Sequence, residues 1–163
     1  MSKPAAPGAT PATTFMDKEH IAYTLHAHDY DADASAKGLQ AAEALGAPPA
    51  QVFKTLMVLI DRTRPACVII PSDRRLMLKK VAALQGGKSA AMMLPADAER
   101  LTAFKTGGIS PFGQKKRSPT ILDASALEQE RIYVNAGRRG QQCRIDPRVA
   151  SAQCGWLVEA VAE

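Results

Sequence analysis

The stretch from Val52 to Ile60, VFKTLMVLI, carries apolar residues on both faces, with Lys54 as the exception that matters. That pattern predicts a central strand covered on both sides. A polar turn at Asp61 to Arg64 and a second apolar run, Pro65 to Pro71, predict an antiparallel hairpin over residues 53–70, with Cys67 in the core. Upstream, Thr10-Pro11 offers a helix N-cap followed by proline at the first helical position. Ala12, Phe15, Met16 and Glu19 then follow at the spacing of a short amphipathic helix that ends near His20. Tyr23 to His28 reads as a strand running into an acidic turn at Asp29, Asp31 and Asp33. Residues 36–45, AKGLQAAEAL, predict a helix with Leu39, Ala42 and Leu45 on one stripe and Gly46 as its stop.

Downstream of the hairpin, residues 72–85 predict a helix with Leu76, Val81 and Leu84 inward, ended by Gly86-Gly87. Ala90 to Leu94 predicts a short strand, and Pro95 a short helix through about Leu101. Strands follow at 120–123, 131–135 and 142–145, the first two separated by a turn or short helical piece at Ser125 to Leu127. Gly137 to Gly140 turns between the last two, and Pro147 opens a final helix through Cys154. The order of elements, without an internal repeat, predicts an α/β or α+β domain with a mixed sheet.

Composition narrows this picture. With 163 residues, 46% hydrophobic and 23% charged, the chain suits a single domain with a sizeable core, and its 5% aromatic share makes that core aliphatic. Residues 1–9 belong to a Pro/Ala/Thr-rich stretch expected to be a disordered tail, leaving residues 10–163 as the domain. That tail lacks the apolar core of a signal peptide, and no run is long enough for a membrane helix, so a soluble protein is expected. Three cysteines with no CxxC pair argue against a disulfide framework and a zinc ribbon, and suit a reducing cytoplasm. A formal net charge of +5 favours an anionic partner such as nucleic acid.

Candidate chemistry gathers at two places. Period-two geometry puts Lys54 on the face of Val52, Leu56, Val58 and Ile60, where an ammonium needs a pocket mouth, a partner or a lowered pKa. A strand-end lysine reaching to water is the equal alternative. The loop Gly107 to Arg117, GGISPFGQKKR, joins bare backbone amides to three consecutive cations, which suits an anionic group or a developing oxyanion. Arg138 and Arg139 add charge nearby in sequence pattern, and Arg74, Arg75, Lys79 and Lys80 form a basic helix face that is either solvated or turned to phosphate. His26 and His28 share a strand face beside the acidic turn, but no third metal ligand follows at a persuasive spacing. No GxSxG, HExxH, Walker or dinucleotide motif is present. Ser110 lacks a histidine partner, so shaping the loop is a better role for it than nucleophile.

Four spaced motifs carry a resemblance: Phe53-Lys54-Thr55-Leu56, the run Arg75 to Lys80, the loop Gly107 to Lys116, and Ala136-Gly137-Arg138-Arg139-Gly140. Together they resemble the YbaK-type aminoacyl-tRNA deacylase family from about Thr10 to the C-terminus. That family is related to the editing insertion of bacterial prolyl-tRNA synthetases, and this chain looks like a freestanding version acting in trans. The resemblance implies one domain with a mixed sheet curled toward a barrel and surrounded by helices. It also implies hydrolysis of the ester joining a wrong amino acid to tRNA, with cysteine on proline tRNA as substrate for the branch carrying FKTL and GGISP.

What the resemblance implies for residues is specific. Lys54 matches the functional lysine, and Gly107 to Pro111 matches the GxxxP loop, whose Gly107 and Gly108 amides would lie near the substrate carbonyl. Attack would come from water or the substrate's own thiol, with no metal or other cofactor. His28, Tyr30, Ile109, Ser110 and Pro111 are the expected substrate contacts, and Asp123, outside the matched motifs, is added as a carboxylate to orient Lys54 or a water. Lys79, Lys80, Lys115, Lys116, Arg117, Arg138 and Arg139 are the expected tRNA contacts. Aminoacyl-tRNA is the implied partner, with prolyl-tRNA synthetase as a docking partner and neither DNA nor membrane. Many members have Thr-Gly-Tyr where this chain has Thr102-Ala103-Phe104, and His28 stands where an aromatic is common, which bears on size selection. A non-catalytic RNA-binding module and a small-ligand regulator are the alternative classes.

Overall fold

The hairpin forms as its pattern requires: β2 (Phe53–Ile60) and β3 (Arg64–Pro71) pair antiparallel from Phe53↔Pro71 to Ile60↔Arg64. The computed structural model describes residues 8–31 and 37–163. Most of the expected tail, and Asp33 of the acidic turn, therefore lie outside the described residues. Alternation along β2 sends Phe53 and Met57 into one core and Leu56, Val58 and Ile60 into another, so the strand is covered on both sides. β5 (Thr120–Asp123) joins β3 in parallel, and β8 (Leu157–Glu159) joins β5 in parallel. On the other edge of β2, β4 (Ala90–Met92) pairs antiparallel with Val58 to Ile60 alone.

A second, antiparallel sheet has the order β1-β7-β6, with β1 at Tyr23–Ala27, β6 at Ile132–Arg138 and β7 at Gln141–Ile145. A parallel bridge from Val52 to Tyr133 joins it to the first sheet. The mixed α/β domain is as expected, but its sheet is divided in two and stays open. The larger core fills the space among β2, β3, β6 and β7, while the smaller packs the other face of the hairpin on α3 (Leu78–Leu84) and Val161.

The helices follow their caps. α1 (Pro11–Lys18) starts at Thr10, whose Oγ1 accepts from the Thr13 amide and donates to the Ala136 carbonyl at 2.6 Å, tying the helix to β6. α2 (Lys37–Leu45) buries Ala41 and Ala42 against Val52, whereas Leu39 is 41% exposed. The small alanine face brings the helix close and leaves Leu39 at the rim, contrary to the expected stripe.

α3 is half the expected length. Residues 75–77 run extended instead: Arg75 and Glu163 exchange N–H···O bonds of 2.9 Å, and the Met77 amide donates to the Val161 carbonyl at 2.8 Å. Asp73-Arg74-Arg75 offers no apolar residue for a first turn, and pairing with the C-terminal segment satisfies its backbone. α4 (Pro95–Thr102) ends on Ala103 in the left-handed region, φ 65°, and α5 (Pro147–Cys154) is capped by the Asp146 carboxylate and stopped by Gly155.

Candidate functional site

A cleft of about 490 Å³ opens where β2 changes neighbours. At Val52 the strand meets β6, and from Val58 it meets β4; between them, Phe53 to Leu56 have no ladder partner on that edge. This gap lets both Lys54 and Thr55 line the cleft, although alternation places them on opposite faces. The Lys54 Nζ reaches toward the Ser72 carbonyl at 3.4 Å, and burial lowers its pKa from the ordinary lysine value, with the Asp73 carboxylate opposing. The Thr55 Oγ1 is buried and finds no partner among the described residues.

Opposite stand Gly107 and Ile109 of the glycine loop. Three bonds hold its approach: the Thr106 amide donates to Glu99 Oε2 at 2.7 Å, Arg139 Nε donates to the Thr106 carbonyl at 2.8 Å, and the Gly108 amide donates to the Lys105 carbonyl at 2.9 Å. The last of these corrects an expectation. With its N–H closed into a turn, Gly108 does not offer an amide to the cleft, while the amides of Gly107 and Ile109 meet no acceptor among the described residues.

Both glycines are required by close approach. At Gly107, φ 91°, an added Cβ would lie 2.2 Å from the Tyr30 hydroxyl; at Gly108 it would lie 2.8 Å from the Arg139 amide nitrogen. The loop is thus seated on the Gly137 to Gly140 turn, which explains why the two glycine motifs occur together. Arg139 also stands over the Tyr30 ring, 5.3 Å from its centroid, and holds that ring against the cleft rim.

The remaining wall is polar. His28 Nδ1 is 2.8 Å from the Asp29 carbonyl, which assigns its proton to Nδ1 and leaves Nε2 to accept from Gln142 Nε2 at 3.4 Å. The same Gln142 nitrogen donates to Asn135 Oδ1 at 2.8 Å. His26 is separate: its ring bonds Thr24 and packs edge-on against Tyr133. The apolar part of the cleft comes from Phe53, Met57, Met93, Ala98 and Ile109.

The structure therefore brings together Lys54, Gly107, Ile109, His28 and Tyr30, and leaves other expected residues elsewhere. Ser110 is fully buried, its Oγ accepting from the Phe112 amide at 3.1 Å, and Pro111 lines a different cavity. Asp123 is also outside the cleft. Its Oδ1 accepts from the Val161 and Ala162 amides at 2.8 and 3.1 Å and its Oδ2 from Ser125, so it anchors the C-terminal segment and does not orient Lys54. Lys115, Lys116, Arg117, Arg138 and Arg139 are exposed beyond the cleft lining, and Lys79 and Lys80 stand on α3. Thr55, Asn135 and Gln142 were missed by sequence reasoning. The last two face each other in the β6–β7 register, a pairing that neither strand's own pattern marks.

Comparison with known proteins adds a family to this geometry. The family model for the aminoacyl-tRNA editing domain matches residues 34–151. A protein of Enterococcus faecalis (strain ATCC 700802 / V583), EbsC, to which Cys-tRNA(Pro)/Cys-tRNA(Cys) deacylase activity is attributed, is 34% identical over 148 residues, 90% of this chain and 89% of its own. Among solved structures, a hypothetical protein matches with a TM-score of 0.84 at 23% identity, covering 94% of this chain and 100% of that one. A structure described as a trans-editing enzyme for prolyl tRNA synthetase matches with a TM-score of 0.80 at 24% identity, covering 94% and 95%. On the family match and the curated relative, with the fold agreeing, this chain belongs to the aminoacyl-tRNA editing domain family, hydrolases that deacylate charged tRNA.

Proposed function

We propose that this protein edits in trans, cleaving the ester of cysteine mischarged on proline tRNA by means of Lys54 and the glycine loop. One observation carries the reading: Lys54 and the Gly107 and Ile109 positions of the glycine loop line one cleft, and the amides of these two loop residues have no acceptor among the described residues. Lys54 holds polar groups of the terminal nucleotide by charge-assisted hydrogen bonds. The Gly107 and Ile109 amides stabilise the negative oxygen of the tetrahedral intermediate, in place of the Gly107/Gly108 pair. Water adds to the ester carbonyl carbon, the bond from that carbon to the ribose oxygen breaks, and the ribose hydroxyl leaves with a proton.

No protein nucleophile is needed. The Ser110 hydroxyl is engaged within its loop, and burial pushes the Cys67 and Cys143 thiols up to about 12. Phe53, Met57, Met93 and Ile109 suit a small apolar side chain, and the activity attributed to the Enterococcus faecalis relative supports cysteine. The exposed cations Lys115, Lys116 and Arg117, with Lys79, Lys80, Arg138 and Arg139, supply the grip on tRNA, and prolyl-tRNA synthetase is the docking partner suggested by the structural relative.

The test follows loss of labelled cysteine from proline tRNA, with alanine on proline tRNA and cysteine on cysteine tRNA as comparators, under excess substrate. Multiple turnovers with the first substrate, abolished by Lys54→Ala, are expected. No acceleration over buffer would sink the reading, and stoichiometric retention without turnover would favour an RNA-binding module.

A further inference from the structure

Past Ile109 the glycine loop turns Pro111, Gly113 and Gln114 to a second cavity, of about 550 Å³, which shares no lining residue with the Lys54 cleft. We propose that this cavity is a nucleotide-binding site, taking a planar base together with a phosphate. Its volume falls within the ~300–1,000 Å³ of small-molecule sites. Two aromatic residues line it, Phe15 and Trp156, and both rings are braced by the fully buried Phe112, at centroid distances of 6.2 and 5.3 Å. Bases of every kind stack on such faces. Arg117 lines the same cavity with its guanidinium over the Phe15 ring, 5.6 Å from the centroid, so that face of Phe15 is taken by a cation, Trp156 is the ring left for a base, and the guanidinium stands where a phosphate would extend from it. No carboxylate is among the lining residues.

A second observation points to a ligand. Ser118 lines the cavity, is 6% exposed, and has an Oγ without a hydrogen-bond partner among the described residues. Buried hydroxyls are rarely left unpaired, and a small shift of Ser118 on ligand binding would bring this one to the edge of a base, which supplies donors and acceptors. Gln114 adds to this: its Nε2 donates to the Ser110 carbonyl at 2.9 Å, which leaves its Oε1 to accept. The nucleotide has two sources, a free mononucleotide or a nucleotide of the bound RNA, and the chemistry is the same for both.

Trp156 is the chain's single tryptophan, so its fluorescence reports this cavity without background. The whole protein is titrated with AMP, adenosine, ribose 5-phosphate and a short single-stranded RNA ending in CCA, excited beyond the absorption of the nucleotides. Saturable quenching is expected with AMP or with the RNA, weakened about ten-fold or more by Arg117→Ala, a change at an exposed side chain that far-UV circular dichroism should show to be folded. Adenosine and ribose 5-phosphate are each expected to bind more weakly than AMP. Saturation at lower concentration by AMP marks a free nucleotide as the occupant, and by RNA a nucleotide of the substrate. Lys54→Ala should leave the quenching by AMP unchanged, which separates this site from the deacylation cleft. Absence of saturable quenching by both ligands, or quenching unaltered in Arg117→Ala, overturns the proposal.

Discussion

Gly108 lies against the Arg138–Arg139 peptide so closely that a Cβ on it would stand 2.8 Å from the Arg139 amide nitrogen. The obstacle is backbone, which cannot swing aside as a side chain can. Gly108→Ala should therefore part the two glycine turns, destabilise the fold by about 1–3 kcal/mol, and lower deacylation at temperatures where the protein remains folded. Thermal melts and initial rates check both. A variant with unaltered melting temperature would show that the turns are not held in contact.

Lys54 should cost stability. Burial lowers its pKa in the native state, so at neutral pH the folded protein carries a charge that it holds less well than the unfolded chain does. The unfolded state binds the proton more tightly, and stability rises with pH from the lowered native pKa up to the ordinary value of ~10.4, above which the penalty is gone. Lys54→Met should melt higher than the parent at pH 7, with the gap closing as pH climbs through that window. Its deacylation rate should fall about 100-fold or more.

Ala103 holds a left-handed conformation at the C-terminus of α4, φ 65°. An L-residue there costs about 1–2 kcal/mol, of which glycine's larger unfolded-state entropy returns part. Ala103→Gly should stabilise the protein by roughly 0.5–1 kcal/mol, read as a higher denaturant midpoint at unchanged slope.

Asp123 is placed to test a structural against a catalytic role. Its carboxylate takes two backbone bonds from the C-terminal segment and more from Ser125. Asp123→Ala should cost about 1.5–3 kcal/mol of stability, while the rate per folded molecule stays within about two-fold because the residue lies outside the cleft. A large fall in that rate at low temperature would return it to the reaction.

Local patterns made much of this legible. The cap at Thr10, the helix start at Pro95, the β2–β3 hairpin and the oddity of Lys54 follow from neighbours in sequence, as does the glycine loop. What escaped depends on distant partners. Residues 75–77 are extended because Val161 to Glu163 come back to pair with them, which no periodicity records. β8 was missed for the same reason. Asn135 and Gln142 become a unit only when β6 and β7 pair, and the division of labour between Gly107 and Gly108 rests on one turn bond to Lys105.

The short β4 has a further consequence. It covers only Val58 to Ile60, so the cleft is the room that a longer strand would fill. The length of one surface segment thus decides whether this fold holds a substrate at all. About five more paired residues at that end, continuing the register from Met92↔Val58, would turn the Phe53 to Leu56 edge into ordinary sheet. The room in the cleft is thus set by where β4 stops, not by the strand that carries Lys54.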